Sequence, residues 1–276
     1  MKLTELPIIV ADCETTGLNK ETDEVIELGC VRVNLEDRRH KILINQLIDP
    51  QRSIPPESSG VNGISNAMVR GCPTWSEITP QLREIIGPDV LVVCHNAFFD
   101  AAFLKRGLSE DDHPIAWIDT LRLVRHAWPK IGNHKLGTMC YALNIKTLDK
   151  VVGYEEYEPH RAAYDAFATA NILCEAIEEL EIETVDQLIE WSDKPALLHY
   201  CPLFKYRDCT WNHVPKHYLT WAHSCRFEGD LGYTIDYWVM KYEELAAKNQ
   251  ADQAAAIKDR AQAPTRARRH YQSLEH

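Results

Sequence analysis

Two carboxylates two residues apart follow the first apolar run of the chain. Asp12 and Glu14 lie in the segment Val10-Ala11-Asp12-Cys13-Glu14-Thr15-Thr16-Gly17-Leu18, directly after the apolar residues 6–10. On a strand, residues i and i+2 point to the same face, so both acids should face one side of a sheet. Two like charges in a low dielectric favour a cation between them. The pair therefore indicates a metal site, although two surface acids at a solvated strand end would show the same pattern.

Further acids and a histidine lie at the starts of two predicted helices. Asp100 ends the segment His95-Asn96-Ala97-Phe98-Phe99-Asp100, and Asn96 is a candidate N-cap for a helix that reaches about residue 106. His160 and Asp165 would lie about 140° apart on one regular helix. We therefore place His160 in the loop before a helix and Asp165 in the first full turn of that helix. The alternatives are an acid that only complements the helix dipole and a histidine that only caps or faces solvent.

Five apolar segments predict the strands that position these residues. The first three, residues 6–10, 24–33 and 41–48, are separated by short polar breaks, which predicts an antiparallel meander. The run 90–94 is typical of a strand buried on both faces, and 115–118 predicts a fifth strand. Because helical patterns lie between and after these segments, the sequence predicts an α/β fold with a central mixed five-stranded sheet and flanking helices.

Local signals predict where several of those helices begin. Ser65 is a candidate cap for a short helix ending at Val69, and Thr74 with Glu77 predicts a capping box for a helix over residues 75–86. Two segments before the helix that Ser65 would cap, residues 49–56 and 60–65, are rich in proline and glycine, which predicts loops. Composition and periodicity predict four later helices. Three of them cover residues 120–127, 135–143 and 243–263, and the fourth begins after His160 and ends at about residue 180.

Composition limits the classes of protein that fit. The chain has 276 residues, a formal net charge of −11 and nine cysteines without a C-x-x-C pair. An odd number of scattered cysteines indicates reduced thiols and a cytoplasmic location. Membrane-spanning apolar runs and the apolar core of a signal peptide are both lacking in the sequence. The acidic charge disfavours a protein that coats a duplex and suits one that gathers acids around metals and contacts a short piece of substrate.

Three motifs in the chain together resemble those of the DEDDh, or DnaQ-like, 3′–5′ exonucleases. They are V-A-D-C-E-T-T-G-L, H-N-A-F-F-D and H-R-A-A-Y-D-A, which follow one another within residues 6–180. The resemblance implies a ribonuclease H-like fold and hydrolysis of DNA phosphodiester bonds from the 3′ end, with release of nucleoside monophosphates. It implies two Mg²⁺ or Mn²⁺ ions held by Asp12, Glu14, Asp100 and Asp165, with Asp12 bridging them. His160 would be the general base that takes the proton of the attacking water.

The same resemblance implies residues that bind substrate. Leu18 and Phe98 are candidates to pack against the 3′-terminal base, and stacking of this kind tolerates any base. Asn62 occupies a position, in V-N-G-I, where the family usually has histidine. The remaining candidates flank the acids within the same motifs: Thr15, Thr16, Gly17, His95 and Asn96.

The C-terminal region resembles an appendage found in one member of the family, exodeoxyribonuclease X. The similarity lies in Lys205-Tyr206-Arg207 and in Tyr218-Leu219-Thr220-Trp221. We predict an exonuclease domain over 1–182, a small and mainly helical appendage over 183–240, and a polar helical or disordered tail over 241–276. That tail holds three arginines at 266, 268 and 269 and ends in Leu-Glu-His, which resembles the remnant of an expression tag.

Other functions remain open at this point. The same fold could serve a catalytically inactive nucleic-acid-binding or adaptor protein, or an RNA-directed exoribonuclease. The five filled catalytic positions favour an enzyme, and the C-terminal resemblance favours DNA. The expected partner is a single strand or a 3′ end of DNA, in a role such as DNA repair, with RNA not excluded and no membrane. Residues 187–191 are weakly similar to a sliding-clamp-binding peptide but fit an amphipathic helix better, so a polymerase or clamp partner stays undecided.

Overall fold

A mixed five-stranded sheet forms the centre of the first of two compact units. The computed structural model describes residues 1–145 and 160–262, with the backbone alone for 259–262. The first unit ends at Leu197 and the second begins at Leu198. The strands of the sheet stand in the order β3-β2-β1-β4-β5. They are β1 (Ile8–Thr15), β2 (Val25–Arg32), β3 (Lys41–Leu47), β4 (Leu91–Cys94) and β5 (Ala116–Asp119).

The pairing of the strands confirms the predicted meander and the mixed sheet. β1 pairs antiparallel with β2, and β2 pairs antiparallel with β3. β1 also pairs parallel with β4, which pairs parallel with β5. β1 continues past its apolar run to Thr15, with Asp12 opposite Gly29 and Glu14 opposite Glu27. Both acids therefore lie on the strand itself and share one face, as the i, i+2 spacing predicts.

Helices of the first unit pack on both faces of the sheet. Ile9, Ala11 and Cys13 of β1 belong to a core with helices on one face. Ile8 and Val10 belong to a second core on the opposite face, which includes Ala166 and Leu173. The helices are α1 (Pro56–Asn62), α2 (Asn66–Val69), α3 (Trp75–Ile85), α4 (Ala97–Leu104), α5 (Thr120–Ala127), α6 (Leu136–Ala142), α7 (Ala162–Glu179) and α8 (Val185–Asp193).

One of the local expectations in the first unit is wrong, and one predicted cap has an unexpected geometry. The segment after residue 55 is a helix, α1, because Pro56 occupies its first turn and Gly63 ends it with a φ of 70°. Asn96 does precede α4, but it has a φ of 77° and its side chain accepts no capping hydrogen bond. The predicted caps Ser65 and Thr74 do precede α2 and α3. Residues 187–191 lie within α8, as an amphipathic helix predicts.

The second unit is mainly helical and has a core of its own. Its helices are α9 (Lys216–Ser224) and α10 (Gly229–Gln262), so the last helix begins earlier than residue 243, where the sequence predicts it. The buried side chains of this core are Cys201, Trp211, Val214, Leu219, Ala222 and Ile235. The predicted domain limits at 182 and 240 stay predictions. The arginines and the tag-like ending of the tail lie outside the described residues. Across 1–145 and 160–262, no helix is long and apolar enough to span a bilayer.

Candidate active site

Three of the predicted metal ligands meet at the end of the central strand. One carboxylate oxygen each of Asp12, Glu14 and Asp165 lies within 4.8 Å of the other two. Asp12 and Glu14 come from β1, whereas Asp165 lies in the first turn of α7. All three side chains are half-buried, so they remain open to solvent. Oxygen ligands that converge in this way suit a hard divalent cation such as Mg²⁺.

Gly29 allows α7 to approach the sheet closely enough to complete this cluster. A Cβ atom at Gly29 would overlap the backbone of Ala162 and Ala163, where α7 begins. Gly29 is also the β2 partner of Asp12. A glycine inside a strand often marks such a close approach of another backbone. That signal was present in the sequence, but our sequence analysis did not use it.

The environment of the acids disfavours their charged forms. Burial, together with the neighbouring charges of Asp165 and Glu27, raises the pKa of Glu14 to about 8. Burial also raises the pKa of Asp165 to about 6, against the opposing influence of His160. The pKa of Asp12 lies well above its usual range because of burial and because of the charges of Asp100, Asp165 and Glu14. A cation bound among them would relieve both the burial and the repulsion.

Asp100 lies near the cluster but is held apart from it. Its Oδ1 accepts hydrogen bonds from the Cys13 backbone N–H at 3.1 Å and from Cys13 Sγ at 3.3 Å. Burial raises the pKa of Asp100 to about 7, although these bonds oppose the rise. The structure thus does not bring Asp100 into the group of three converging ligands. Its charge still acts on Asp12 through space.

His160 stands immediately before α7, as predicted, in a left-handed backbone conformation with a φ of 67°. A non-glycine residue in this region is uncommon and requires support from its surroundings. One such support is a hydrogen bond between the His160 backbone N–H and the Asp165 carboxylate. The loop position therefore directs both His160 and Asp165 to the same pocket.

A buried ion pair that the sequence analysis missed anchors the start of α7. Glu27 is fully buried and accepts hydrogen bonds from Arg161 Nε at 2.9 Å and from the Ala162 backbone N–H at 3.0 Å. Arg161 Nη2 also lies 2.5 Å from Glu27. Because Arg161 directly follows His160, this pair fixes the backbone beside the predicted general base. No local pattern in the sequence points to Glu27, because its partners lie far along the chain.

Asn62, at the end of α1, is buried and contacts the acidic cluster. Its side chain forms a hydrogen bond with Glu14, which lowers the pKa of that carboxyl against the effect of burial. Its Oδ1 accepts from the Ile64 backbone N–H at 3.0 Å. Asn62 therefore orients Glu14, and its role in substrate binding stays a prediction.

The loop after β1 presents an exposed apolar residue next to the site. Asp23 organises this loop by accepting from Thr16 Oγ1 and from the Asn19 backbone N–H, each at 2.9 Å. Leu18 is 82% exposed. The Thr16 backbone N–H donates to the Glu24 carbonyl at 2.8 Å, so this N–H is not available to a substrate. Thr15 Oγ1 donates to the Gly17 carbonyl at 2.6 Å.

A second exposed apolar residue, Phe98, stands on α4. Phe98 is 78% exposed. Lys20 Nζ donates to the Phe98 carbonyl at 2.7 Å and lies over its ring, which ties the loop of Leu18 to α4. Exposed apolar side chains next to a polar cluster indicate a surface that contacts a ligand. The geometry is consistent with the predicted contact of Leu18 and Phe98 with a terminal base, which stays a prediction.

His95 and Asn96 have internal partners that limit their role toward a substrate. His95 Nε2 lies 2.8 Å from the His134 carbonyl and must donate to it, so Nδ1 accepts from Thr120 Oγ1 at 3.0 Å. Burial lowers the pKa of His95 to about 4, so its ring is neutral. Asp119 accepts from the Asn96 backbone N–H at 3.0 Å and thereby holds the turn before α4. Their predicted contacts with substrate are untested.

A groove beside the acidic cluster is large enough for part of a polymer. It has a volume of about 740 Å³, and Asp12, His160 and Asp165 line one part of it. Lys135 and Tyr141, at the two ends of α6, line another part. Tyr141 is exposed and Lys135 supplies a positive charge. The groove thus joins the acids to groups that suit a base and a phosphate.

The residues present fit a divalent metal ion. In the parts of the chain that the structure describes, no lysine or arginine forms an ion pair with Asp12 or Glu14. Arg161, which precedes α7, is instead bound to Glu27. A cluster of half-buried carboxylates without an internal cation is the donor set that a hard metal ion requires.

Comparisons with known proteins agree with this geometry. Residues 9–173 match the family described as RNase_T exonuclease. The PolC-type DNA polymerase III of Oceanobacillus iheyensis is 31% identical over 194 residues, which make up 68% of this chain and 12% of that relative. The corresponding protein of Bacillus subtilis is 34% identical over 181 residues, again 12% of its length. The chain therefore spans only a small part of these relatives.

Solved structures give the same result for the fold. Exonuclease X in complex with 5′ overhanging duplex DNA is 27% identical, with a TM-score of 0.53 over 67% of this chain and 99% of that one. A structure of exonuclease I is 14% identical, with a TM-score of 0.51 over 67% of this chain and 43% of that one, which shows a shared fold alone.

The sheet order, the covering helices and the acidic cluster at the end of β1 define an exonuclease of the ribonuclease H-like class. The chain belongs to the RNase T, DnaQ-like exonuclease family. The predicted family, the predicted fold class and the predicted kind of enzyme are thereby confirmed.

Proposed function

We propose that this protein hydrolyses DNA from the 3′ end and releases nucleoside monophosphates. The observation that carries the proposal is the accessible cluster of Asp12, Glu14 and Asp165 next to His160. Membership of the exonuclease family supports the reaction. DNA as the substrate is supported by the relatives, which are DNA polymerases of the PolC type and an exonuclease bound to duplex DNA.

Asp12, Glu14 and Asp165 would hold the two divalent metal ions that the proposed reaction requires. When bound, Mg²⁺ or Mn²⁺ would neutralise charge on the phosphate and lower the pKa of the attacking water. Asp100 would add negative charge from behind Asp12, because its own Oδ1 is engaged by Cys13.

His160 would accept the proton of the attacking water at a ring nitrogen. Histidine suits this task because its ordinary pKa lies near neutral pH. Its position follows from the backbone, which the bond to Asp165 and the Glu27–Arg161 pair hold in place. Leu18 and Phe98 would pack against the terminal base without selecting its identity.

A degradation assay with labelled strands tests the proposal. Single-stranded DNA and RNA of one sequence, labelled at the 5′ end, are incubated with Mg²⁺ and the full chain. We expect the DNA to shorten stepwise from the 3′ end, with release of mononucleotides, and EDTA to stop the reaction. Asp12→Asn should abolish hydrolysis, whereas Asp111→Asn, the same change at an exposed residue, should not.

Three results of this assay would contradict the proposal. Faster degradation of the RNA would make the protein an exoribonuclease. Binding of the strand without hydrolysis under all metal conditions would make it an inactive adaptor of the same fold. Wild-type rates from the Asp12→Asn protein would remove the acidic cluster from the mechanism.

A further inference from the structure

The second unit has a charge opposite to that of the whole chain. Between Leu198 and the start of α10, residues 198–228 contain four lysine or arginine residues and two acids, which gives +2 with histidine neutral. The whole chain has a net charge of −11. A polyanion would be repelled by most of this protein and attracted by this segment. The four basic residues are Lys205, Arg207, Lys216 and Arg226.

Three aromatic rings form a continuous row on this unit. The ring centroids of Tyr206 and Tyr218 lie 4.7 Å apart, and those of Tyr218 and Trp221 lie 4.9 Å apart. Tyr218 and Trp221 are three residues apart on α9, so their side chains are neighbours on the helix surface. The row packs on the core of the second unit through Tyr206 and Tyr218. A row fixed in this way is a rigid platform.

The outer end of the platform faces solvent and is accompanied by free positive charges. Trp221 is 50% exposed, and Phe204, two residues before Tyr206 in the chain, is 90% exposed. Lys205 Nζ lies 5.8 Å from the centroid of the Tyr206 ring. Within the described residues, neither Lys205 nor Arg207 has an acidic side chain within ion-pair distance. Large exposed aromatic side chains of this kind mark an interaction surface.

We propose that this aromatic–basic surface, formed by Phe204, Lys205, Tyr206, Arg207, Tyr218 and Trp221, binds a single strand of nucleic acid. Unpaired bases would stack on Trp221 and Phe204, and the strand's phosphates would pair with Lys205 and Arg207. The exposed ring faces favour a single strand, because the bases of a duplex are already stacked on one another. The surface therefore gives the protein a second contact with the strand, outside the acidic cluster.

Binding to a strand that cannot be cut tests this surface. The full chain carries Asp12→Asn, EDTA is present, and the probe is a labelled oligo-dT strand of about 20 nucleotides, longer than one binding site. The test variants are Trp221→Leu and the double change Lys205→Glu/Arg207→Glu. The matched controls are Tyr233→Leu and Lys248→Glu/Lys258→Glu, which alter exposed residues of the same types on α10.

We expect the test variants to lose affinity and the controls to keep it. Trp221→Leu should raise the Kd about fivefold or more, which is the usual loss for one stacked base. The double charge reversal should also make binding less sensitive to salt, with the slope of log K against log salt smaller by about 1.4. Circular dichroism melting curves should match the wild type, because Lys205, Arg207 and Trp221 are all exposed.

Several results would overturn the inference. One is an unchanged Kd and an unchanged salt slope in both test variants. Another is tighter binding of a blunt duplex than of the single strand. A third is a change in sedimentation which shows that the surface joins two copies of this chain. The inference uses the proposed function only to choose DNA as the probe. The binding assay needs no hydrolysis. If the wild-type protein proves inactive while affinity for the strand still depends on Trp221, only the proposed function is contradicted.

Discussion

At the scale of single residues, the chemistry depends on carboxylates that the fold holds where charge is costly. Asp12, Glu14 and Asp165 converge on one point, and burial raises the pKa of each. A carboxyl whose pKa is raised by folding binds more protons in the folded than in the unfolded state at intermediate pH. The stability of the metal-free protein must then fall as pH rises through that interval.

The first prediction concerns this pH dependence. The ordinary pKa of a carboxyl is about 4, and the folded values reach about 6 for Asp165 and about 8 for Glu14. Between about pH 4 and pH 8 in EDTA, we expect the melting temperature of the wild type to fall relative to that of Glu14→Gln, and Mg²⁺ to restore it at pH 8. Buried histidines such as His95, whose pKa is lowered, act in the opposite direction in both proteins. Glu84→Gln, at an exposed site, should run parallel to the wild type. A Glu14→Gln curve that also runs parallel to the wild type would show that the Glu14 carboxyl does not destabilise the metal-free protein.

The second prediction concerns His160, whose position beside Asp165 suggests a proton acceptor. We expect His160→Gln to lower the single-turnover rate at saturating Mg²⁺ by roughly a hundredfold to ten-thousandfold, the usual contribution of a general base. Affinity for the strand should stay near that of the wild type. His113→Gln, at an exposed histidine, is the matched control. A near-normal rate for the His160 variant would leave this residue with a capping role only.

At the scale of elements, the site exists because α7 lies directly against β2. Gly29 leaves room for the backbone of α7, and Glu27 on the same strand binds the residues that precede and begin this helix. The two contacts act together. Gly29 has no side chain that would obstruct the helix, and the Glu27 carboxylate holds the start of the helix through hydrogen bonds. Both place Asp165 opposite Asp12.

The third prediction tests the close approach. Gly29→Ala should force α7 away from β2, because the new methyl group overlaps the helix backbone. We expect a loss of stability of about 1–3 kcal/mol, as for other overpacked sites, and a weaker affinity for Mg²⁺. Gly87→Ala is the control, because a Cβ at Gly87 meets open space. Denaturant unfolding and Mg²⁺ titration measure the two effects, and normal values of both would mean that α7 does not need this contact.

The fourth prediction tests the ion pair that anchors α7. Arg161→Met leaves the buried carboxylate of Glu27 without its cation, which should cost about 3 kcal/mol or more. The double change Glu27→Gln/Arg161→Met should recover part of that loss. Arg106→Met breaks the more exposed pair with Glu24 and should cost about 1 kcal/mol or less. Equal losses for the two arginines in denaturant unfolding would argue against a special role for the buried pair.

At the scale of the whole molecule, the protein combines a nuclease unit with a second, mainly helical unit. The nuclease unit presents its acids beside two exposed apolar side chains, Leu18 and Phe98, which suit the terminal base of a strand. Under the proposed function, a strand would have to end at the site to place its terminal base there.

The fifth prediction concerns the free 3′ end. We expect linear single strands to be degraded and circular single strands of the same sequence to persist, because a circle offers no terminal base to Leu18 and Phe98. A terminal 3′-phosphate should slow the reaction. Gel analysis of both substrates with Mg²⁺ measures this, and a strand blocked at its 5′ end is the control that should be cut normally. Equal rates for circles and linear strands would identify an endonuclease.

The sequence by itself determined the parts of this protein that depend on neighbouring residues. The i, i+2 spacing of Asp12 and Glu14 set their common face, and the turn before α7 separated His160 from Asp165. The positions of the five strands and of most helices along the chain also followed from local periodicity and capping signals. These features are local in the chain, so short patterns suffice to predict them.

Only the tertiary structure decided which of these residues meet and what holds them. The Cys13 N–H donates a hydrogen bond to Asp100, which lies 87 positions away in the sequence. Arg161 donates to Glu27, which lies 134 positions away. His95, whose contact with substrate stays a prediction, has both ring nitrogens bound within the protein. Such partners come together only when β strands and helices pack, because packing joins residues with no relation in the sequence. The acids could therefore be recognised from the chain alone, whereas the contacts that position them required the fold.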